Sequence, residues 1–169
     1  MDEVVDIVQL SSSSIFASRL GGKFRIGHDI TPKPQIMGFL LHELVPLEIQ
    51  SRYPIEWRTE KLKDDKDIVF IPDNLLSVEI KTSSNPTQIF GNRSYAQAQT
   101  GKGKSKNGYY LAINFEKFRE DRIPNIRLIR FGWLDHTDWI GQKAATGQQA
   151  RLRPESDKTK LLRIYSSSA

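Results

Sequence analysis

The sequence predicts an α/β protein with a central mixed sheet of four to five strands flanked by helices. Three observations lead there: two β-rich runs around Pro72-Asp73-Asn74, two later apolar runs at Tyr109–Phe115 and Ile126–Leu134, and helical spacing of apolar residues from Gln35 to about Ser51. With 169 residues the chain is long enough to bury one core, so it is expected to form a single domain, residues 1–169.

Residues 1–34 carry Ser11 to Ser14, Gly21-Gly22 and Pro32-x-Pro34, with one short apolar run from Val4 to Leu10. They are expected to form a short helix within an N-terminal arm or dimerisation element, followed by the core at 35–140 and by further polar and edge elements at 141–169. In the helix from Gln35, Ile36, Phe39, Leu40, Leu44 and Leu47 repeat at helical spacing, and Pro46 should kink it or end its first part. Glu43 sits among these apolar positions beside His42. A carboxylate near an apolar face is costly unless paired, so Glu43 is either a site residue or lies on the solvent flank. A charged approach, Lys61 to Lys66, leads into the hairpin; Asp65 is expected to be solvated or to pair with Lys81.

Proline fixes φ, and Asp and Asn tolerate turn geometry, so Pro72-Asp73-Asn74 reads as a turn between Asp67–Ile71 and Ser77–Ser84. Side chains alternate along a strand, so Val78 and Ile80 face a core while Glu79 and Lys81 face the other way. A turn centred on Asp73 places Asp67 opposite Glu79, close enough for two carboxylates to share a cation.

Beyond the hairpin, Gln88, Asn92, Arg93 and Gln97 supply amide and guanidinium groups of the kind that contact base edges. Lys102, Lys104 and Lys106 follow in a glycine-rich loop suited to phosphates. Ala98-x4-Gly103-Lys104-Ser105 satisfies a permissive P-loop expression, but a polar run precedes it and a strand follows it, so no nucleotide cofactor is expected. Asp135-His136-Thr137-Asp138 reads as a surface turn or DNA-contacting loop, since the i, i+4 histidine pair of a helical metal site is missing. Gln148, Gln149 and Arg151 form a second polar cluster, and Lys160–Tyr165 reads as an edge strand.

The net charge is +5, unevenly spread: −3 over residues 1–81 and +8 over 82–169. A basic half beside an acidic site suits a polyanion held near a metal. With no cysteine, disulfides and thiolate zinc sites are excluded, and no apolar run approaches the length of a membrane span. A cytoplasmic protein without membrane partners is expected.

Two carboxylates facing each other across a hairpin, one of them in Glu-x-Lys, can hold Mg²⁺ against a phosphodiester while the lysine assists. In Pro72-Asp73 followed by Glu79-Ile80-Lys81, in Gly38 to Glu43, and in Arg130 to Asp135, the sequence resembles the PD-(D/E)XK nuclease superfamily. Within it, residues 35–140 resemble the small type II restriction endonucleases, and the polar stretch from Ser83 to Gln99 is similar to PvuII-like and ScaI-like enzymes. The resemblance implies a restriction-endonuclease-like core and a Mg²⁺ site in which Mn²⁺ substitutes. It further implies double-stranded DNA as substrate, 5′-phosphate products, a homodimer and a prokaryotic cytoplasm. It makes Glu79 a metal ligand, Lys81 the catalytic lysine and Glu43 the helical acid. The motif's spelling selects Asp73 as the first acid, whereas hairpin geometry selects Asp67; Asp67 is the expected ligand. A structure-selective nuclease of the same superfamily and a non-catalytic DNA-binding module are the competing readings.

Overall fold

The computed structural model describes residues 1–98, 104–119, 123–144 and 146–167. In chain order the elements are α1 (Asp2–Ala17), β1 (Arg19–Leu20), β2 (Phe24–Arg25), α2 (Pro34–Arg52), β3 (Trp57–Thr59), β4 (Ile68–Phe70) and β5 (Val78–Ser83). They continue with β6 (Phe90–Asn92), β7 (Gly108–Phe115), β8 (Ile126–Leu134), β9 (Trp139–Gly141), β10 (Gln149–Leu152), α3 (Pro154–Lys160) and β11 (Leu161–Ser166). The main sheet is mixed and has six strands, ordered β11-β8-β7-β5-β4-β3, with β5 and β7 parallel. It exceeds the four to five strands expected because both β3 and β11 join as antiparallel edges. A separate three-stranded sheet, β6-β10-β9, is built from segments too short to read as strands.

Parallel neighbours need a crossover, and the described residues between β5 and β7 contribute β6 and a 3-10 turn to it rather than a long helix. As a result the centre of the main sheet is buried on both faces. On one, Leu111, Ile113 and Phe115 of β7 join Ile80 and Val78 of β5 beneath α1 and α2. On the other, Tyr110 and Ala112 pack with Ile89 and Tyr95 of the crossover and with Trp139, Ala150 and Leu152 of the small sheet. The period-two alternation of β7 therefore divides two cores rather than core from water.

Residues 1–34 do not stand off the molecule as an arm. In α1, Ile7, Val8, Ser11, Ser12, Ile15 and Phe16 form one buried stripe at helical spacing. Only the β1–β2 hairpin has all its strand residues exposed. Helix α2 begins with Pro34 at its N-terminus, where the missing N–H costs nothing, and continues through Pro46 to Arg52 rather than ending there. Among the described residues no helix is long and apolar enough to cross a membrane.

Two close approaches set the sheet's surroundings. Gly132 lets Lys160 cross β8, since a Cβ there would lie 2.0 Å from the Lys160 carbonyl oxygen. Gly38 brings α2 against β5, where a Cβ would meet the Thr82 hydroxyl at 2.8 Å. Buried Arg130 fastens the crossover to the sheet: its guanidinium donates to the Thr87 carbonyl (2.7 Å), to Asn114 Oδ1 (2.5 Å) and to Asp157 of α3. Asn114 in turn donates to the carbonyls of Asn85 (2.8 Å) and Gln88 (3.0 Å).

Removing one partner of a buried charged network leaves the others unpaired in a poor solvent. Arg130→Leu should therefore lower unfolding stability by about 3–5 kcal/mol in urea titration. Arg127→Leu, which breaks the partly exposed pair with Glu116, should cost about 0–1 kcal/mol. Equal losses in the two variants would remove Arg130 from this role.

Candidate active site

The hairpin sets the site's register. Ile68 pairs with Val78, which places Asp67 across from Glu79 as the Pro72–Asn74 turn predicts. Asp73 lies in the connection, where its side chain accepts from the Leu75 N–H at 3.0 Å and caps a short 3-10 turn, Asn74–Leu76. Ser77 Oγ closes that turn, accepting from the Phe70 N–H (3.0 Å) and donating to Asn74 Oδ1 (2.8 Å). Where the β4 ladder stops, the Asp67 side chain takes over from backbone, and its Oδ2 accepts from the Ile80 N–H at 2.6 Å.

Glu79 is 2% exposed, on the β5 face opposite Val78 and Ile80, and its two oxygens have different neighbours. Oε1 accepts from the Tyr95 hydroxyl (2.6 Å) and from Lys81 Nζ (2.9 Å); Lys81 Nζ also donates to the Ile80 carbonyl (3.0 Å). Oε2 lies 2.9 Å from Lys104 Nζ and 3.9 Å from Lys66 Nζ, in ion pairs without hydrogen-bond alignment. Lys104 Nζ also donates to Asp67 Oδ1 at 3.1 Å, so one ammonium bridges both carboxylates. Lys66 is buried, donates to the Ser105 carbonyl (2.6 Å) and lies over the Tyr110 ring. Lys81 and Lys106 both lie over the Tyr95 ring, at 4.7 and 4.6 Å. From α2, His42 Nδ1 comes within 3.5 Å of Asp67 Oδ2.

These neighbours set the ionisation. Burial raises the Asp67 carboxyl, but His42, Lys81 and Lys104 outweigh it and hold the group well below the usual carboxylate range. Burial and the Asp67 charge likewise oppose ionisation of Glu79, and Lys81, Lys104 and the Tyr95 hydroxyl still hold it low. Burial pulls Lys66 down to about 8, while the two carboxylates outweigh burial at Lys104 and raise it. Burial, reinforced by Glu79, pushes the Tyr95 phenol up, so it stays protonated and donates.

Tyr95, Lys66 and His42 are thus members of the cluster that local sequence pattern does not single out. Lys104 and Lys106, expected on a phosphate-facing loop, belong to the carboxylate cluster. Glu43 is exposed; it shares the wall of a cleft with His42, Glu60 and Asp67, without contact to either carboxylate of the hairpin. Asp65 is neither solvated nor paired with Lys81. It is buried, accepts from Arg58 (2.7 and 3.2 Å) and from the N–H groups of Lys61 (2.9 Å) and Leu62 (3.0 Å), and so shapes the loop that leads to Asp67.

The donor set suits a hard divalent cation: two carboxylates close enough to share one ammonium, and a buried Glu79 Oε2 with no aligned donor. Among the described residues no three His, Cys, Asp or Glu side chains are placed to hold one metal ion, so further ligands would be carbonyls, water or substrate oxygens.

The polar candidates separate into two groups. On the small sheet Gln149 pairs with Asn92, and Arg151 with Phe90, while Ala150 and Leu152 turn into the core. Asn92, Gln97, Gln148, Gln149 and Arg151 are exposed. Arg93 instead reaches the carbonyls of Ala144 (3.3 Å) and Gly147 (3.4 Å), and Gln88 is half-buried with its Oε1 turned inward. Lys102 lies outside the described residues. A second cleft, lined by Gly38, Phe39, His42, Thr82, Phe90 and Gln149 among others, shares Phe39 and His42 with the cleft at Asp67. The two adjoin at that shared wall, a trough lined by Asp67 in one cleft and by Gln149 of the small sheet in the other.

No solved structure matches the chain. The chain is 53% identical over 167 residues to the type II restriction enzyme ScaI of Streptomyces caespitosus, an alignment covering 97% of this chain and 73% of that enzyme. The family model described as ScaI restriction endonuclease matches residues 1–165, and the chain belongs to that family of type II restriction endonucleases.

Proposed function

We propose that this restriction endonuclease hydrolyses phosphodiesters of a specific duplex DNA sequence, using Mg²⁺ held by Asp67 and Glu79 and leaving 5′-phosphate ends. The observation that carries the site assignment is the meeting of buried Glu79 with half-buried Asp67 and Lys81 on one face of the hairpin. Mg²⁺, when bound, polarises the phosphodiester and lowers the pKa of a water. The chain's own groups do the rest. Lys81 Nζ, beside Glu79, places positive charge where charge develops on phosphate oxygen. Tyr95 fixes the Glu79 carboxylate by donating to Oε1, and the Ile80 N–H and His42 fix Asp67.

The trough receives the duplex. Asn92, Gln97, Gln148, Gln149 and Arg151 are the readers of base edges, and residues 141–169 contribute part of that surface. A palindromic site calls for a twofold reader, so two copies of this single-domain chain act together in a prokaryotic cytoplasm, each cutting one strand.

In plasmid digestion with Mg²⁺, Glu79→Ala and Asp67→Asn should each lose on the order of 10³-fold in rate, several kcal/mol of transition-state stabilisation. Tyr95→Phe should lose about 10–100-fold, and Asp73→Asn should cut like wild type. An inactive Asp73→Asn beside an active Asp67→Asn would reverse the assignment. Gln149→Ala should give up about 1–3 kcal/mol of base discrimination, seen as extra bands in the digest; an unchanged pattern removes it from readout. Sedimentation should give twice the 19.4 kDa chain mass, and a monomer bound to its duplex would exclude the twofold reader.

A further inference from the structure

The oxygens of the two carboxylates are unevenly committed. Asp67 Oδ2 accepts from the Ile80 N–H (2.6 Å) and faces His42, and Glu79 Oε1 accepts from Tyr95 (2.6 Å) and Lys81 (2.9 Å). The remaining pair, Asp67 Oδ1 and Glu79 Oε2, is the pair that Lys104 Nζ spans at 3.1 and 2.9 Å. Lys66 reaches Glu79 Oε2 only at 3.9 Å, and Lys81 meets Oε1 alone. Among the described residues Lys104 thus occupies the one oxygen of each acid that accepts no other hydrogen bond.

Its placement also allows it to leave. Lys104 belongs to the segment before β7 rather than to the hairpin, and its side chain is 19% exposed. Just beyond it the chain is pinned, with Lys66 Nζ on the Ser105 carbonyl and the Tyr110 hydroxyl on the Lys106 carbonyl. The side chain can swing away from the carboxylates while the backbone from Ser105 onward stays in place.

We propose that Lys104 is a built-in counter-ion that a divalent cation displaces from Asp67 Oδ1 and Glu79 Oε2, after which its ammonium is free for a phosphate oxygen of the substrate. The inference rests on Asp67 and Glu79 being the metal ligands. Lys104 compensates two buried carboxylates when no metal is present, and for the same reason it weakens metal binding. Lys106 is the internal control: it carries the same charge in the same cluster but lies over the Tyr95 ring instead of between the acids.

The test is titration calorimetry with MgCl₂ alone, without DNA, on wild type, Lys104→Gln, Lys106→Gln and Glu79→Ala, together with amine acetylation of the wild type read lysine by lysine by mass spectrometry. Lys104→Gln should bind Mg²⁺ about tenfold or more tighter than wild type, and Lys106→Gln within about threefold of it. Saturating Mg²⁺ should raise acetylation of Lys104 several-fold (on the order of the freed fraction) and leave that of Lys66 unchanged. Mg²⁺ binding that Glu79→Ala abolishes but Lys104→Gln tightens no more than Lys106→Gln, or Lys104 labelling that Mg²⁺ does not change, overturns the displacement alone. Failure of both wild type and Lys104→Gln to bind Mg²⁺, or Glu79→Ala binding as wild type does, overturns the metal assignment and the displacement with it.

Discussion

Two carboxylates buried side by side are tolerable only where cations reach them, and the architecture around the hairpin meets that demand. Glu79 and Asp67 repel each other and both lose hydration, so their ionised forms depend on ammonium groups brought from elsewhere in the chain. Those groups come from three places: Lys66 before β4, Lys81 on β5, and Lys104 and Lys106 before β7. The topology that delivers the last two is the parallel pairing of β5 with β7. An antiparallel neighbour joined by a tight turn would have closed over the site with a few residues. The crossover instead carries Tyr95 onto Glu79 and returns with the lysines alongside it.

The opposite wall is set by a different contact. Gly38 lets α2 lie on Thr82, and His42, one turn further along the helix, then reaches Asp67. A larger residue at 38 would lift that turn from β5 and withdraw His42 with it. The same approach keeps Phe39 and His42 on the wall shared by both clefts, so the helix–strand spacing fixes both the orientation of a carboxylate and the width of the trough. Arg130 does the corresponding work behind the site, because it holds the first turn of the crossover through the Thr87 carbonyl and Asn114.

How much of this could be read in advance depends on how far each contact spans. The Asp67–Glu79 register was readable because both residues lie within one hairpin whose turn chemistry is local, and the same geometry put Asp73 in the bend despite the motif's spelling. Strands β7 and β8 announce themselves as long apolar runs. Helix α1 runs further than its apolar pattern predicts because serines, weak helix formers, occupy two positions of its buried stripe. The pairing of Asp65 with Arg58 was missed because strand alternation aimed Asp65 toward Lys81, whereas the chain there forms a loop folded around the carboxylate. Tyr95 and Lys104 join Glu79 only through the crossover, and nothing in their neighbouring residues marks a partner 16 or more positions away. Composition puts Arg93 and Gln88 in one polar group with Asn92 and Gln97, and it carries no information on which of them reaches a loop carbonyl or has its amide oxygen buried.

The charge balance of the cluster argues for a fixed relation between its ligands. Among the described residues Asp67 and Glu79, with Glu60 3.9 Å from Lys104, face four lysine ammoniums, so before any ligand arrives the site already has more positive than negative side chains. Adding a divalent cation increases that excess, and like charges in a buried site oppose it. On the proposed site a phosphodiester would bring the missing negative charge, both to the metal and to the lysines. Each ligand therefore lowers the cost of the other, and because linkage is reciprocal, the factor by which DNA tightens Mg²⁺ is the factor by which Mg²⁺ tightens DNA. A cluster of two acids without surplus lysines would hold the metal well in the absence of substrate. On the proposed metal assignment the lysines weaken metal binding when no phosphate is present, and DNA raises the occupancy of the hydrolytic centre.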